Sequence, residues 1–215
     1  MTLVNELQIS AEQDDVMTVL RKTKRLAAKL GRQDIADWLK SELEGYPSGS
    51  PVPEYRQIGT SLAYNTNGYI PVGGGRLESG VKPLPDYNLT FPFSIRDPIS
   101  TIMSWIDDAN NIYHQIPLNS EYGRTIRSCF RFHPMFADQI SFLLHLNGAQ
   151  LTAVPECIKD RVLDWACALE QAGVHGDNMT FDDREKHLAD SVRMNLVFNQ
   201  TNNNVGDVNN QIQAN

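Results

Sequence analysis

The sequence has little cysteine, little positive charge and no long apolar run, and each shortage excludes a class of protein. Three cysteines, Cys129, Cys157 and Cys167, stand among 215 residues with no CxxC pair. Cys157 and Cys167 are expected to share a helix, where ten residues of separation is roughly 15 Å of rise, too far to bridge. The set fits reduced packing thiols better than a disulfide framework or a structural zinc site. The five histidines, at 114, 133, 145, 175 and 187, lack metal-ligand spacing. Neither metal nor cofactor is therefore expected. The apolar string Phe142-Leu143-Leu144 stops at His145, far short of the roughly 20 residues a membrane helix needs, and no signal-peptide pattern follows Met1. A formal charge of −7 argues against electrostatic coating of nucleic acid. These readings predict a cytoplasmic protein that makes no use of a membrane.

What is present is mostly helical patterning, and 41% hydrophobic residues supply a sizeable core. Ser10 with Gln13 reads as a capping box, after which Val16, Val19, Leu20, Thr23, Leu26, Ala27 and Leu30 keep helical spacing up to Gly31. A second helix spans Gln33 to Glu44 and ends at Gly45. Between Tyr46 and Pro98 lie eight of the eleven prolines and seven of the fourteen glycines. Helix is excluded there, since proline removes a donor and clashes with the preceding turn. Short strands are expected near 55–63, 69–72 and 87–93, with Gly73-Gly74-Gly75 as a mobile loop or hairpin tip.

Helix returns at Asp97-Pro98, with Ile99, Ile102, Met103, Ile106, Ala109 and Tyr113 as its buried stripe. Alternation over 126–132 predicts a strand. Helices are expected over 134–146 and 155–172, and a last one capped by Thr180 with Asp183, carrying Phe181, Leu188 and Val192. The fold class expected is α+β, predominantly helical, with a Pro/Gly-rich β/loop insertion. The units are 1–45, 46–97, 98–193 and an Asn-rich, β-prone tail over 194–215. From Asn195 onward there are eight Asn, three Gln and one charge, Asp207. Val205, Val208 and Ile212 recur in that tail, where they suit either a disordered end or intermolecular β-structure.

Two segments together resemble the AbiTii domain family of bacterial proteins associated with abortive-infection phage defence. The first is Leu20-Arg21-Lys22-Thr23-Lys24-Arg25-Leu26-Ala27-Ala28-Lys29-Leu30-Gly31, continuing through Trp38 and Glu42-Leu43-Glu44-Gly45-Tyr46 to Pro53-Glu54-Tyr55-Arg56. The second is Arg161-Val162-Leu163-Asp164-Trp165-Ala166, then Leu169 to Val174 and Met179-Thr180-Phe181. The polar members of the first string are not demanded by helical periodicity, which makes it specific. The resemblance implies a role in phage defence and no particular reaction, because no catalytic residue set comes with it.

Pro53-Glu54-Tyr55-Arg56 supports two readings. Glu54 and Arg56 could hold a polar ligand beside the Tyr46 and Tyr55 rings, or lock the loop onto the helix pair as an ion pair packed on tyrosine. Arg21, Arg25, Lys29 and Arg32 fall on one helix face, either a phosphate grip or, as flanking acids suggest, a solvated face. Arg127 and His133 match the Arg-x5-His spacing of HEPN ribonucleases, but the string alternates like a strand and runs into Pro134. Other catalytic patterns fail: no Asp/Glu-x-Lys triplet exists, Gly59 to Ala63 lacks the last glycine of a nucleophile elbow, and Gly73-Gly74-Gly75-Arg76 lacks a Lys-Ser/Thr. Asp107-Asp108 and Asp182-Asp183 are explained by solvation or capping. The expectation is a non-enzymatic defence protein that forms homo-oligomers through its tail or binds a protein partner. A ribonuclease effector and a sensor of a phage product or nucleotide are the alternatives.

Overall fold

A computed structural model describes residues 1–72, 75–83, 91–107, 112–116, 123–124, 139–146 and 148–199. It is α+β and predominantly helical, six described helices standing beside an antiparallel sheet. Helix α1 spans Leu3–Gln13, α2 Val16–Leu30 and α3 Gln33–Glu44. Ser10 does not open a helix as its spacing with Gln13 suggested. It is buried inside α1 and donates to Asp14 at 2.6 Å. The N-cap of α2 is Asp15, which accepts from the Thr18 amide at 3.0 Å. Asp15 reaches that orphan donor directly, so the break between helices falls five residues later than expected. Helix α2 ends at Gly31, whose left-handed φ of 74° turns the chain into α3.

Beyond α3 the chain makes β1 (Val52–Pro53), one 3-10 turn (Glu54–Arg56), β2 (Gln57–Thr66), and the β3–β4 hairpin (Ile70–Val72 with Gly75–Leu77). Strands β5 (Gly80–Pro83) and β6 (Phe91–Ser94) follow. Strand β2 organises the main sheet: β6 and β5 pair end to end along one edge, and β8 (Ile140–Leu146) pairs along the other. Strand β7 (Ile112–Ile116) then pairs with β8.

Three expectations are corrected here. Residues 140–146 form a strand, not the end of a helix, with Ile140, Phe142, Leu144 and Leu146 buried in strict alternation. That period of two seats four large side chains on the inner face and outweighs the helical preference of leucine. Helix α4 spans Ile99–Asp107, and Tyr113 belongs to β7, its ring 5.1 Å from that of His145. Helix α5 runs from Gly148 to Gln171 and therefore starts seven residues before Pro155, which sits buried inside it. Leu151 and Val154 extend the buried stripe of Ile158, Val162, Trp165 and Leu169 toward the N-terminus. Each such side chain contributes about 1.5–3 kcal/mol on burial, enough to carry the helix across one missing amide.

One continuous core joins α1, α2, α3, α4 and α5 to the inner face of the sheet. The last helix, α6 (Asp183–Ser191), is capped by Asp182 with Glu185 in a reciprocal capping box, not by Thr180 with Asp183. The chain then runs without regular structure to β9 (Phe198–Asn199), antiparallel to β1. Val192 and Met194 are buried along the way, and Leu196 packs against the core. The expected strand over 126–132, the tip glycines Gly73 and Gly74, and Cys129 lie outside the described residues. No helix among the described residues is long and apolar enough to cross a membrane.

Candidate functional site

The densest polar cluster sits where α3, the 3-10 turn and the segment after β6 meet. Glu42 continues the apolar stripe of Ile35, Trp38 and Leu39 on α3, so its carboxylate points into the core and is fully buried. Helix α3 ends at Gly45, whose φ of +94° carries the chain under Arg96; a Cβ there would lie 2.9 Å from the Arg96 carbonyl oxygen. The turn brings Tyr46 back so that its hydroxyl donates to Glu42 Oε1 at 2.6 Å.

The 3-10 turn supplies the opposite side. Tyr55 donates to the same Oε1 at 2.6 Å, and its oxygen accepts from Trp38 Nε1 at 2.9 Å. Arg56 is fully buried and donates Nη2 to Glu42 Oε2 at 2.6 Å and Nε to the same oxygen at 3.1 Å. Its Nη1 donates to the carbonyls of Ile95 at 3.1 Å and Asp97 at 2.7 Å. The guanidinium also stands 4.9 Å from the centre of the Tyr46 ring, a cation–π contact. Burial, with the Glu42 charge next, pushes both tyrosine hydroxyls far above their ordinary range.

Of the residues singled out in the sequence, Tyr46, Tyr55 and Arg56 therefore come together, and Glu54 does not join them. Glu54 is exposed, and the ion-pair partner of Arg56 is Glu42. Glu42 was legible in principle: an acid on the buried stripe of an amphipathic helix needs a counter-charge. Both Glu42 oxygens and all three Arg56 nitrogens are bonded within the chain. Chemically the arrangement is a clasp that joins three segments.

The basic stripe on α2 divides. Arg21 is exposed, but Lys29 donates to the Met179 carbonyl at 2.6 Å and Arg25 reaches Met179 Sδ at 3.6 Å. Arg32 is buried, not solvated. Its Nη1 donates to the Ala189 and Val192 carbonyls, and Nε and Nη2 hold Asp34 at 2.9 and 2.7 Å. Those carbonyls lie at the C-terminal end of α6, where the Ala189 oxygen also accepts from the Val192 amide at 3.1 Å and a cation is favoured. Three of the four stripe residues thus contact the C-terminal segment, Arg32 from just beyond α2. Arg127 and His133 lie outside the described residues, as do Val205, Val208 and Ile212.

No curated protein and no solved structure matches the chain. The AbiTii family model matches residues 2–194, nearly the whole folded body. The family is associated with abortive infection in bacterial phage defence. Both strings that carried the resemblance lie inside the matched span, and the chain belongs to the AbiTii family.

Proposed function

We propose that this AbiTii protein serves phage defence without a reaction of its own, by assembling with further copies or with a partner protein through its C-terminal tail. The observation that carries the reading is at the head of that tail. Val197 and Phe198, adjacent and apolar, are 49% and 39% exposed, and Phe198 opens the two-residue strand β9. Sixteen more residues follow, with Val205, Val208 and Ile212 among asparagines and a single charge, Asp207. Such a stretch gains stability by burying its apolar residues against another chain. The non-catalytic part of the reading is supported by the clasp, because the polar residues of Glu42-to-Arg56 hold the fold together and satisfy one another.

The test compares the full chain with one ending at Asn199. That end keeps Met194 and Leu196, which pack in the folded body. Light scattering should find a defined assembly for the full chain and a monomer for the shorter one. Cells making the shorter protein should lose protection in a phage plating assay. Equal masses, or full protection by a monomeric shortened chain, would overturn the reading.

A further inference from the structure

Strand β9 has one paired edge and, among the described residues, one open edge. Its register decides which groups the open edge presents. Phe198 lies opposite Pro53 and Asn199 opposite Val52, and the Glu54 amide donates to the Val197 carbonyl at 2.8 Å. Antiparallel pairs alternate between those that exchange both backbone bonds and those that exchange none. Glu54–Val197 is a bonded pair, so Pro53–Phe198 is not, and Val52–Asn199 is bonded again. Proline is tolerated in β1 for this reason, as its nitrogen faces away from the ladder. By the same alternation the Phe198 N–H and C=O point away from β1, toward the open edge.

We propose that this edge pairs with the same edge of a second copy, antiparallel about a twofold axis, giving the strand order β1–β9–β9′–β1′. The inference rests on the self-assembly reading above and names the surface through which the copies meet. A second copy is the occupant favoured by symmetry, because an antiparallel edge is complementary to itself across a twofold axis. Residues 197–199 carry no charge, so two copies of this edge can approach with little like-charge repulsion. Exposed Val197 and Phe198 add apolar area at the start of that contact.

Phe198→Pro isolates the backbone contribution. It removes the outward N–H and leaves the bonded pairs Glu54–Val197 and Val52–Asn199 in place. Phe198→Ala, which keeps the amide, is the control. In the full chain, Phe198→Pro should be monomeric with an unchanged circular dichroism spectrum, while Phe198→Ala should still assemble, with a dissociation constant raised about tenfold at most. A Phe198→Pro protein that assembles like the original overturns the proposal, as does a Phe198→Ala protein that is equally monomeric, since side-chain packing would then hold the copies.

If Phe198→Pro misfolds, amide exchange of the unaltered protein decides. The Phe198 amide should be protected when assembled and exchange freely on dilution to monomer; free exchange at both concentrations overturns the pairing. The two readings fail separately. A shortened chain that is monomeric beside an assembling Phe198→Pro variant keeps the tail and discards the β9 edge. The reverse result keeps the edge and discards the tail.

Discussion

Glu42 and Arg56, fourteen residues apart, form a fully buried ion pair, their closest atoms 2.6 Å apart. Attraction alone does not make such a pair stabilising, because removing both charges from water costs several kcal/mol each. Here the surrounding donors and acceptors offset much of that cost: two tyrosine hydroxyls on the carboxylate and two carbonyls on the guanidinium. The pair determines how α3, the 3-10 turn and the β6–α4 connection sit together.

Removing one partner should therefore be severe. Arg56→Ala leaves a buried carboxylate without its counter-charge, and the expected loss is about 3–5 kcal/mol. For a chain of this size that lowers Tm by on the order of ten degrees. Tyr46→Phe removes one charged hydrogen bond and should cost about 1.5–3 kcal/mol. Thermal melting monitored by circular dichroism measures both. An Arg56→Ala protein melting within a degree or two of the original would mean that the clasp does not hold the fold.

Acid should weaken the C-terminal segment through Glu185. Its carboxylate accepts from the amides of His175 at 2.8 Å, Gly176 at 2.9 Å and Asp182 at 3.1 Å. Partial burial pushes its pKa up, but these donors outweigh that, and it lies below the ordinary 4.5. A depressed folded-state pKa gives stability that is present above the unfolded value and lost as pH falls through the folded one. The original protein should thus exceed Glu185→Gln by about 1 kcal/mol at neutral pH. That gap should close as pH drops below about 4.5, the ordinary glutamate value. Chemical denaturation across that range checks it; a gap that stays constant would count against the carboxylate's role.

Two helix-ending glycines should respond differently to alanine. Both have positive φ, +74° at Gly31 and +94° at Gly45, but a Cβ on Gly31 meets nothing within 4 Å. Gly31→Ala should cost about 1 kcal/mol, the ordinary left-handed penalty. Gly45→Ala drives its methyl into the Arg96 carbonyl, which also accepts from the Tyr46 amide at 2.7 Å, so its cost should exceed that of Gly31→Ala by about 1–3 kcal/mol. Equal melting temperatures for the two variants would contradict the close approach under Arg96.

The periodicity of α2 and α3 was readable because each buries one face, and their glycine stops were readable because a left-handed residue ends each helix. The strand at 140–146 is hidden in the sequence because Ile140, Phe142, Leu144 and Leu146 alternate around Leu143, which breaks the polar half of the pattern. Pro155 suggests a helix start because proline opens helices more often than it sits within them, yet here it lies inside α5. Glu54 stands nearer Arg56 in sequence than Glu42 does, but the two lie in a 3-10 turn, where residues two apart point in different directions.

By itself the sequence determined the family, the α+β class and the residues of the clasp's aromatic wall, since these follow from local periodicity, turn chemistry and a specific string of residue types. Only the tertiary structure decided which acid meets Arg56, that Arg32 is buried against the end of α6, and that β9 returns to β1. Each of these joins segments far apart along the chain, where partner choice depends on how buried charges and unpaired backbone groups find satisfaction together, and no local pattern encodes that.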